Sequence, residues 1–313
     1  MKALVTGGAG FIGSHLIDSL LEEGYEVRCI DNFSSGKMEF IENAMEKGLE
    51  LIKGDILNKT DLQKAMEGCD VIFHHAANPD VRLGAEDSYI HLQQNVLATY
   101  AILEEMRRQG IKKIAFTSSS TVYGEADVIP TPEDYGPLIP ISLYGASKLA
   151  AESFICAYCH TFDMSSVIFR FANVVGPRST HGVTYDFIKK LQKDGSRLEI
   201  LGDGTQKKSY LYISDCIDAM LFGIEKAKEK VEIFNIGSED WVDVRKIADI
   251  VSQEMNLQPK YEFTGGVDGG RGWKGDVKIM RLSIDKLKSL GWKPGYGSEE
   301  AIRMTARWLL SSL

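Results

Sequence analysis

Long apolar runs are the first thing this sequence lacks. No stretch of its 313 residues approaches the ~20 apolar residues that span a bilayer. Its first residues read as a strand and a glycine-rich turn, not as a charged region followed by an apolar stretch and a cleavage site. A cytoplasmic protein with no membrane partner is expected. Basic charge is also short: 36 Lys and Arg stand against 44 Asp and Glu, for a net charge of -8 and a pI near 5.4. That balance argues against a general affinity for nucleic acid or acidic membrane surfaces and leaves room only for a local basic pocket that takes phosphates. Cysteine is scarce, with five scattered residues at 29, 69, 156, 159 and 216, which fits reduced thiols in a cytosolic setting. Cys156, Cys159 and His160 have the spacing of covalent haem attachment, but they continue the apolar helical pattern of Leu149, Phe154, Ile155, Tyr158 and Phe162 and are read as packed thiols. His74 and His75, neighbours on a strand, point to opposite faces, so no metal site is expected. Internal repeats and low-complexity segments are absent too.

What is present begins at the N-terminus with M-K-A-L-V-T-G-G-A-G-F-I-G-S-H. Ala3, Leu4 and Val5 form a short apolar run, glycines follow at 7, 8, 10 and 13, and a helical pattern (Phe11, Ile12, Leu16, Leu20) starts among them. Strand, tight turn and helix in this order make a dinucleotide site: Gly7 and Gly8 suit the turn, Gly10 lets backbone approach a pyrophosphate, and Gly13 lets the helix pack close while its free amides meet the anion. Asp31 ends a second apolar strand (Val27, Cys29, Ile30), placed to accept the ribose hydroxyls of an adenosine. Its carboxylate would repel a 2′-phosphate and no arginine follows it directly, which favours NAD over NADP, a preference that Lys37 softens.

Strand and helix patterns then alternate as a doubly wound parallel sheet requires. Residues 49–53 are a third strand ending in Gly54-Asp55-Ile56, and 71–74 a fourth, running into Ala76-Ala77, small residues that leave room for a ligand at a strand's carboxyl end. Two readings of Asp55 stay open, a contact on the adenine side and a turn-capping aspartate. A long helix covers about 92–109 and stops at Gly110; a fifth strand, 111–117, runs into Ser118-Ser119-Ser120-Thr121. That hydroxyl run is either a solvated turn or a lining for the nicotinamide half of the site. After a proline-rich loop (Pro130, Pro132, Pro137, Pro140), Tyr144 and Lys148 open a helix four residues apart, on one face. A free tyrosine titrates near ~10, so a tyrosine acting as base at neutral pH needs its phenolate stabilised by about 3 units, or roughly 4 kcal/mol. A lysine ammonium and an oxidised nicotinamide ring are the two available sources.

Past a sixth strand, 166–171, the alternation lapses into loops with isolated helices at about 185–193, 214–228, 243–255 and 298–310, and one further strand, 232–236, rejoins the sheet. The expected fold is therefore α/β: a Rossmann-type doubly wound parallel sheet with a smaller, interleaved C-terminal substrate domain. Residues 1–174 and 212–238 would bind NAD, and 175–211 with 239–313 would bind substrate.

Over nearly its full length the chain resembles the extended short-chain dehydrogenase/reductases, and most of all the UDP-glucose 4-epimerases. The resemblance rests on T-G-G-A-G-F-I-G at 6–13, Asp31-Asn32, Gly54-Asp55, H-x-A-A at 74–77, Asn95, S-S-S-T-V-Y-G at 118–124, Tyr144 with Lys148, and Asn173. G-D-G at 202–204, Asp215, Asn235-Ile236-Gly237, Gly275-Asp276 and Leu290-Gly291-Trp292-x-Pro294 extend it. It implies catalytic roles for Ser119, for Tyr144 as base and for Lys148 on the nicotinamide ribose. It implies NAD contacts from Gly7, Gly10, Phe11, Ile12, Gly13, Asp31, Asn32, Lys37, Asp55, Ile56, Ala76, Ala77, Asn95 and Ser118. For a UDP-sugar it implies Ser119, Tyr144, Asn173 at the diphosphate and Asp276 near the uridine ribose, with Met280 lining the sugar end. It also implies a homodimer through helices 92–109 and 144–160.

The implied reaction is 4-epimerisation of a UDP-hexose through a 4-keto sugar that turns over in the pocket while NAD stays bound. Two departures stand out. Lys208-Ser209 replaces the family's usual arginine and aspartate, and Trp273 takes the arginine's place in R-x-G-D, with Arg271 two residues earlier. Lysine cannot make arginine's bidentate fork, so Lys208 and Arg271 together are expected at the diphosphate, and Trp273 at the base. Sibling 4,6-dehydratases carry Thr-Asp-Glu where this chain has Ser119-Ser120-Thr121, which counts against elimination. A uronic acid or N-acetylhexosamine epimerase, a decarboxylase and a non-catalytic NAD(H)-binding regulator remain as alternatives.

Overall fold

The computed structural model describes residues 1–312. Its elements run β1 (Lys2–Thr6), α1 (Phe11–Glu22), β2 (Glu26–Asp31), α2 (Glu42–Glu46), β3 (Glu50–Lys53), α3 (Lys59–Met66) and β4 (Val71–His74). Then α4 (Ser88–His91) passes through a π-wound stretch, Leu92–Leu97, into α5 (Ala98–Gln109), followed by β5 (Lys113–Ser119), α6 (Leu143–Phe162) and β6 (Ser165–Phe171). Beyond lie β7 (Asn173–Val175), α7 (Val183–Lys193), β8 (Arg197–Ile200), β9 (Lys207–Lys208), β10 (Tyr210–Tyr212), α8 (Ile213–Lys226) and β11 (Val231–Ile236). The chain closes with β12 (Val242–Asp243), α9 (Val244–Glu254), β13 (Lys260–Phe263), β14 (Ile279–Met280), α10 (Asp285–Leu290) and α11 (Ser298–Ser312).

Seven strands form one parallel sheet in the order β11-β6-β5-β4-β1-β2-β3, the Rossmann-type winding expected. Its strands read as near-continuous apolar runs because helices cover both faces. Leu4, Ile30, Ile72, Ile114, Phe116 and Ile168 from the strands pack with Leu62, Met66, Ile102, Leu103, Met106, Ala151 and Ile155 from the helices into one core. The order reverses between β1 and β4, where Thr6 pairs in register with His74. Open α/β sheets bind ligands at the carboxyl ends beside such a reversal. Helix ends follow local rules: Asn58 caps α3 by accepting from the amides of Thr60 and Asp61, and α5 stops at Gly110 in the left-handed conformation (φ 76°).

The described residues separate into two compact units, the first of residues 1–122, 143–170 and 220–234, the second of 123–142, 171–219 and 235–312. The second unit has its own core, in which Phe187, Ile188 and Leu191 of α7 meet Ile247, Ile250 and Val251 of α9 and Ile302, Ala306 and Leu309 of α11. Residues 123–142 group with this unit, outside the bounds expected for it. They are tied to it by backbone and side chain: the Thr131 amide donates to Arg281 O (2.9 Å), Thr131 O accepts from the Ser283 amide (2.9 Å), and the Asn235 amide donates to Glu133 (2.9 Å). Short pairings that the sequence pattern does not announce, β7 with β10, β13 with β8, and β9 between β12 and β14, replace the expected loops. Two- to four-residue strands are too short for a period of two to be read.

One buried cation holds the edge of the first unit. Arg28 on β2, 7% exposed, donates through Nη1 to the carbonyls of Lys64 (3.1 Å), Ala65 (2.8 Å) and Glu67 (2.8 Å) and so closes the C-terminus of α3. Arg28→Met keeps the packing of the stem but strands these acceptors. The expected outcome is a native circular-dichroism spectrum with a loss of about 1–3 kcal/mol in urea unfolding; an unchanged midpoint counts against the capping role.

Candidate active site

The glycine turn is shaped by close approach. Gly7 has φ 67° and its amide donates to the Ile30 carbonyl (2.9 Å), while the Gly10 amide returns to Gly7 O (3.1 Å). A Cβ on Gly13 would stand 2.4 Å from Gly7 O, and one on Gly7 2.8 Å from Ala76 N, so turn, α1 and the residues after β4 touch through backbone alone. At its start α1 has Gly10 as N-cap, with no side-chain cap and no acidic residue in the first turn. Its first amides are therefore free to meet an anion, and a phosphate-bearing dinucleotide fits this cradle.

Beside the turn, Asp31 is 8% exposed and accepts from the amides of Ala9 (2.9 Å) and Phe33 (2.8 Å). Burial raises its pKa, and the two amide hydrogen bonds oppose the rise. Asn32 donates to Asp55 Oδ2 (3.2 Å), and Asp55 Oδ1 accepts from the Leu57 amide (2.9 Å), so Asp55 caps its own turn and holds Asn32 as well. Ile56 is half-buried against the core. Lys37 gives its backbone amide to Ala9 O (2.9 Å), while its ammonium lies by Glu39 (3.1 Å) and over the Phe40 ring. Phe11 rests edge-on against His15, and Ile12 is half-buried.

At the end of β5 three consecutive residues engage α6. Thr117 O accepts from Lys148 Nζ (2.8 Å), Ser118 Oγ donates to Glu152, and Ser119 is hydrogen-bonded to Tyr144. Ser119 Oγ also accepts from Thr121 Oγ1 (3.0 Å). Of Ser118, expected as a cofactor contact, the side chain is 1% exposed and bonded to Glu152. Burial pushes the Tyr144 phenol up to about 12, with the Ser119 hydrogen bond opposing. Burial pulls the Lys148 ammonium down to about 8, against the Glu152 charge, which raises it. Lys148 Nζ lies 5.8 Å from the Tyr144 ring centroid and 5.0 Å from that of Phe116.

Neutral imidazoles surround this pair. His74 bridges Thr6 (2.9 Å) and Thr99 (3.0 Å), and burial first, then Lys148, holds its pKa well below the ordinary value. His75 contacts Thr117 Oγ1 (2.6 Å), and the same two causes bring it to about 3. His91 meets the Tyr144 ring edge-on at 5.6 Å. Asn95, in the π-wound stretch, donates to Ser147 Oγ (2.8 Å) and accepts from the Asn78 amide (2.9 Å), which ties α6 to the chain just after Ala76-Ala77. A π-wound turn at such a position is common at functional sites.

The second unit holds residues expected along a UDP-sugar. Lys208 Nζ meets Asp276 Oδ1 at 2.6 Å and lies 5.5 Å over the Trp273 ring, and Asp276 Oδ2 accepts from the Gly272 amide (3.2 Å). Met280, 8% exposed, pairs in register with Lys208. Arg271 does not join them: its guanidinium pairs with Glu125 and donates to Asp268 O (2.6 Å). Asn173 gives Nδ2 to Ser209 O (3.3 Å) at the junction of β7 and β10. Sequence reasoning missed Glu152 and Arg170. Their signals were there to read, an acid one turn beyond Lys148 inside an apolar helix and an arginine inside the apolar strand V-I-F-R-F.

Comparison with known proteins places residues 3–237 in the NAD dependent epimerase/dehydratase family. A putative UDP-glucose 4-epimerase of Methanocaldococcus jannaschii is 36% identical over 98% of this chain and 97% of its own length. Among solved structures, a UDP-galactose 4-epimerase superimposes with a TM-score of 0.89 at 43% identity, covering 100% of both chains. A Bacillus cereus UDP-glucuronic acid 4-epimerase in complex with UDP-glucuronic acid and NAD superimposes with a TM-score of 0.90 at 31% identity, again covering 100% of both. The cradle leads to a direct test. Gly13→Ala forces a methyl onto the backbone at Gly7 O and Gly8 Cα, so thermal stability of the unliganded protein is expected to fall, and NAD affinity measured by calorimetry on the folded variant to fall about tenfold or more, ~1.4 kcal/mol; full affinity would refute the close-approach argument.

Proposed function

The chain belongs to the NAD dependent epimerase/dehydratase family, and from that premise we propose that it interconverts the C4 epimers of a UDP-hexose, UDP-glucose and UDP-galactose, through a 4-keto sugar. The observation that carries this reading is the cluster of Ser119, Tyr144 and Lys148 at the end of β5, with hydroxyl residues rather than an acidic pair following Ser119. NAD, the family's cofactor, supplies when bound a hydride acceptor that later returns the hydride to the sugar's opposite face.

The protein's own part is proton handling and positioning. Tyr144 removes the C4 hydroxyl proton, with Ser119 bridging, and returns it after the keto sugar has turned over. With its phenol at about 12, a base working near pH 7 needs about 5 units of stabilisation, roughly 7 kcal/mol, more than a solvent-exposed tyrosine would. The positive charge of an oxidised nicotinamide contributes to that, while Lys148 is assigned to the nicotinamide ribose. In the second unit Lys208 and Asp276 are assigned to the nucleotide part of the substrate, Lys208 as a point charge toward phosphate. Holding one end while the hexose turns is catalysis by orientation.

The similarity to a UDP-glucuronic acid 4-epimerase supports a second reading, a uronic acid substrate on the same machinery. Incubating the NAD-bound protein with UDP-galactose, and separately with UDP-galacturonic acid, distinguishes them by which 4-epimer appears; no product from UDP-galactose would sink the leading reading. Tyr144→Phe is expected to retain NAD and UDP-sugar binding while turnover falls about 10²-fold or more, and unimpaired turnover would remove Tyr144 as the base.

A homodimer is supported by apolar side chains left exposed on the same two helices, Tyr100 (45%) on α5 and Phe154 (41%) on α6, whose rings meet edge-on at 6.4 Å, with Leu92 and Leu97 nearby in sequence. Tyr100→Asp with Phe154→Asp should shift the light-scattering mass to that of one chain; a wild-type protein already of that mass would refute the dimer. Five free cysteines and the absence, among the described residues, of a helix long and apolar enough to cross a membrane support a cytoplasmic setting.

A further inference from the structure

Behind Tyr144 and Lys148 lies a buried charge pair that the proposed chemistry does not use. Glu152, 3% exposed, accepts two hydrogen bonds from Arg170, also 3% exposed: Nε to Oε1 (3.1 Å) and Nη2 to Oε2 (2.7 Å). Oε1 further accepts from Ser118 Oγ. A bidentate pair out of water is costly to form and is seldom kept for stability alone. Its position is informative. Tyr144, Lys148 and Glu152 recur every four residues along α6, hence on one face, and each reaches a different residue of the triplet Thr117, Ser118, Ser119.

Resting on the reading of Tyr144 and Lys148 as the reacting pair, we propose that Glu152 is a positioning residue for both: clamped by Arg170, its carboxylate hooks the end of β5 through Ser118 and supplies the counter-charge to the Lys148 ammonium. Without the hook, Ser119 sits on a strand end fixed only from its two sides. Without the counter-charge, Lys148 faces Tyr144 on its own helix, His74 at the end of β4, His75 beyond it and His91 on α4, none of them anionic at neutral pH. Glu152 is the acid whose charge opposes the effect of burial on Lys148, while the histidines, held neutral by burial and by Lys148 itself, offer none. Arg170 keeps the carboxylate in one rotamer, so the counter-charge cannot swing away.

The test compares NAD-bound wild type with Glu152→Gln, Glu152→Asp, Ser118→Ala and the double variant Glu152→Gln with Arg170→Met, which leaves no buried charge unpaired if the single variant fails to fold. Lysine side chains are labelled with carbon-13, and the Lys148 signal is assigned by its loss in Lys148→Arg. Removing the carboxylate is expected to move the Lys148 titration to lower pH by about one unit or more, and with it the alkaline limb of kcat for the UDP-sugar. Glu152→Asp should restore most of the titration. Ser118→Ala should leave the titration in place but lower kcat about tenfold with KM little changed. An unmoved Lys148 titration in whichever carboxylate-free variant folds overturns the counter-charge, and full kcat in Ser118→Ala overturns the hook. A protein that titrates as expected yet turns over no UDP-sugar leaves this proposal standing and defeats the substrate reading instead.

Discussion

A lysine ammonium kept out of water is the constraint on which the first unit depends. Lys148 is 2% exposed, and its pKa of about 8 lies well below the free value of 10.5. Keeping it charged at neutral pH therefore costs the fold roughly 3 kcal/mol. The sign follows from the depressed value: the cost is fully present below pH 8 and is relieved as pH rises toward 10.5. Around that charge the structure has to be exact in its polar contacts. One lone pair comes from Thr117 O, one ring face from Phe116, and one carboxylate from Glu152, while three histidines nearby stay neutral. The β5 strand, the α6 helix and the π-wound turn carrying Asn95 are arranged about it, and the phenol of Tyr144 inherits its setting from theirs.

The second unit handles charge differently. There Lys208 is half-buried and already paired with Asp276, and it lies over the Trp273 indole. Any phosphate that engages Lys208 competes with a carboxylate 2.6 Å away. A bare lysine would attract every anion in solution, whereas this arrangement favours a ligand able to satisfy Asp276 with a hydroxyl donor at the same time as it meets the ammonium. A ribose next to a diphosphate has both groups.

Much of this was legible in the residues. The N-terminal G-G-A-G-F-I-G run, with a strand before it and Asp31 after, announced the sheet and the cradle, because glycine spacing and apolar period are local signals. Tyr144 and Lys148 were visible for the same reason, four apart at the start of a helix. What escaped notice depends on three-dimensional neighbours. Ser118 and Ser119 are indistinguishable as letters, yet alternation along β5 sends one hydroxyl into the core toward Glu152 and the other toward Tyr144. Arg271 and Lys208 looked equivalent as cations, but Arg271 is committed to Glu125 through a contact 146 residues apart in sequence. The continuous helix expected over 92–109 hid a π-wound segment, since one extra residue in a turn leaves no mark on hydrophobic spacing.

Asp31 links cofactor choice to the integrity of the turn. The carboxylate expected at the ribose accepts the amides of Ala9, fully buried, and Phe33. An alanine or arginine at 31, the exchange that would remove the negative charge opposing a 2′-phosphate, deprives the Ala9 amide of its acceptor and so loosens the glycine turn. A change of coenzyme preference at this position therefore carries a structural cost of about 1–3 kcal/mol in the turn itself, and a second substitution that supplies a new acceptor for that amide would offset it.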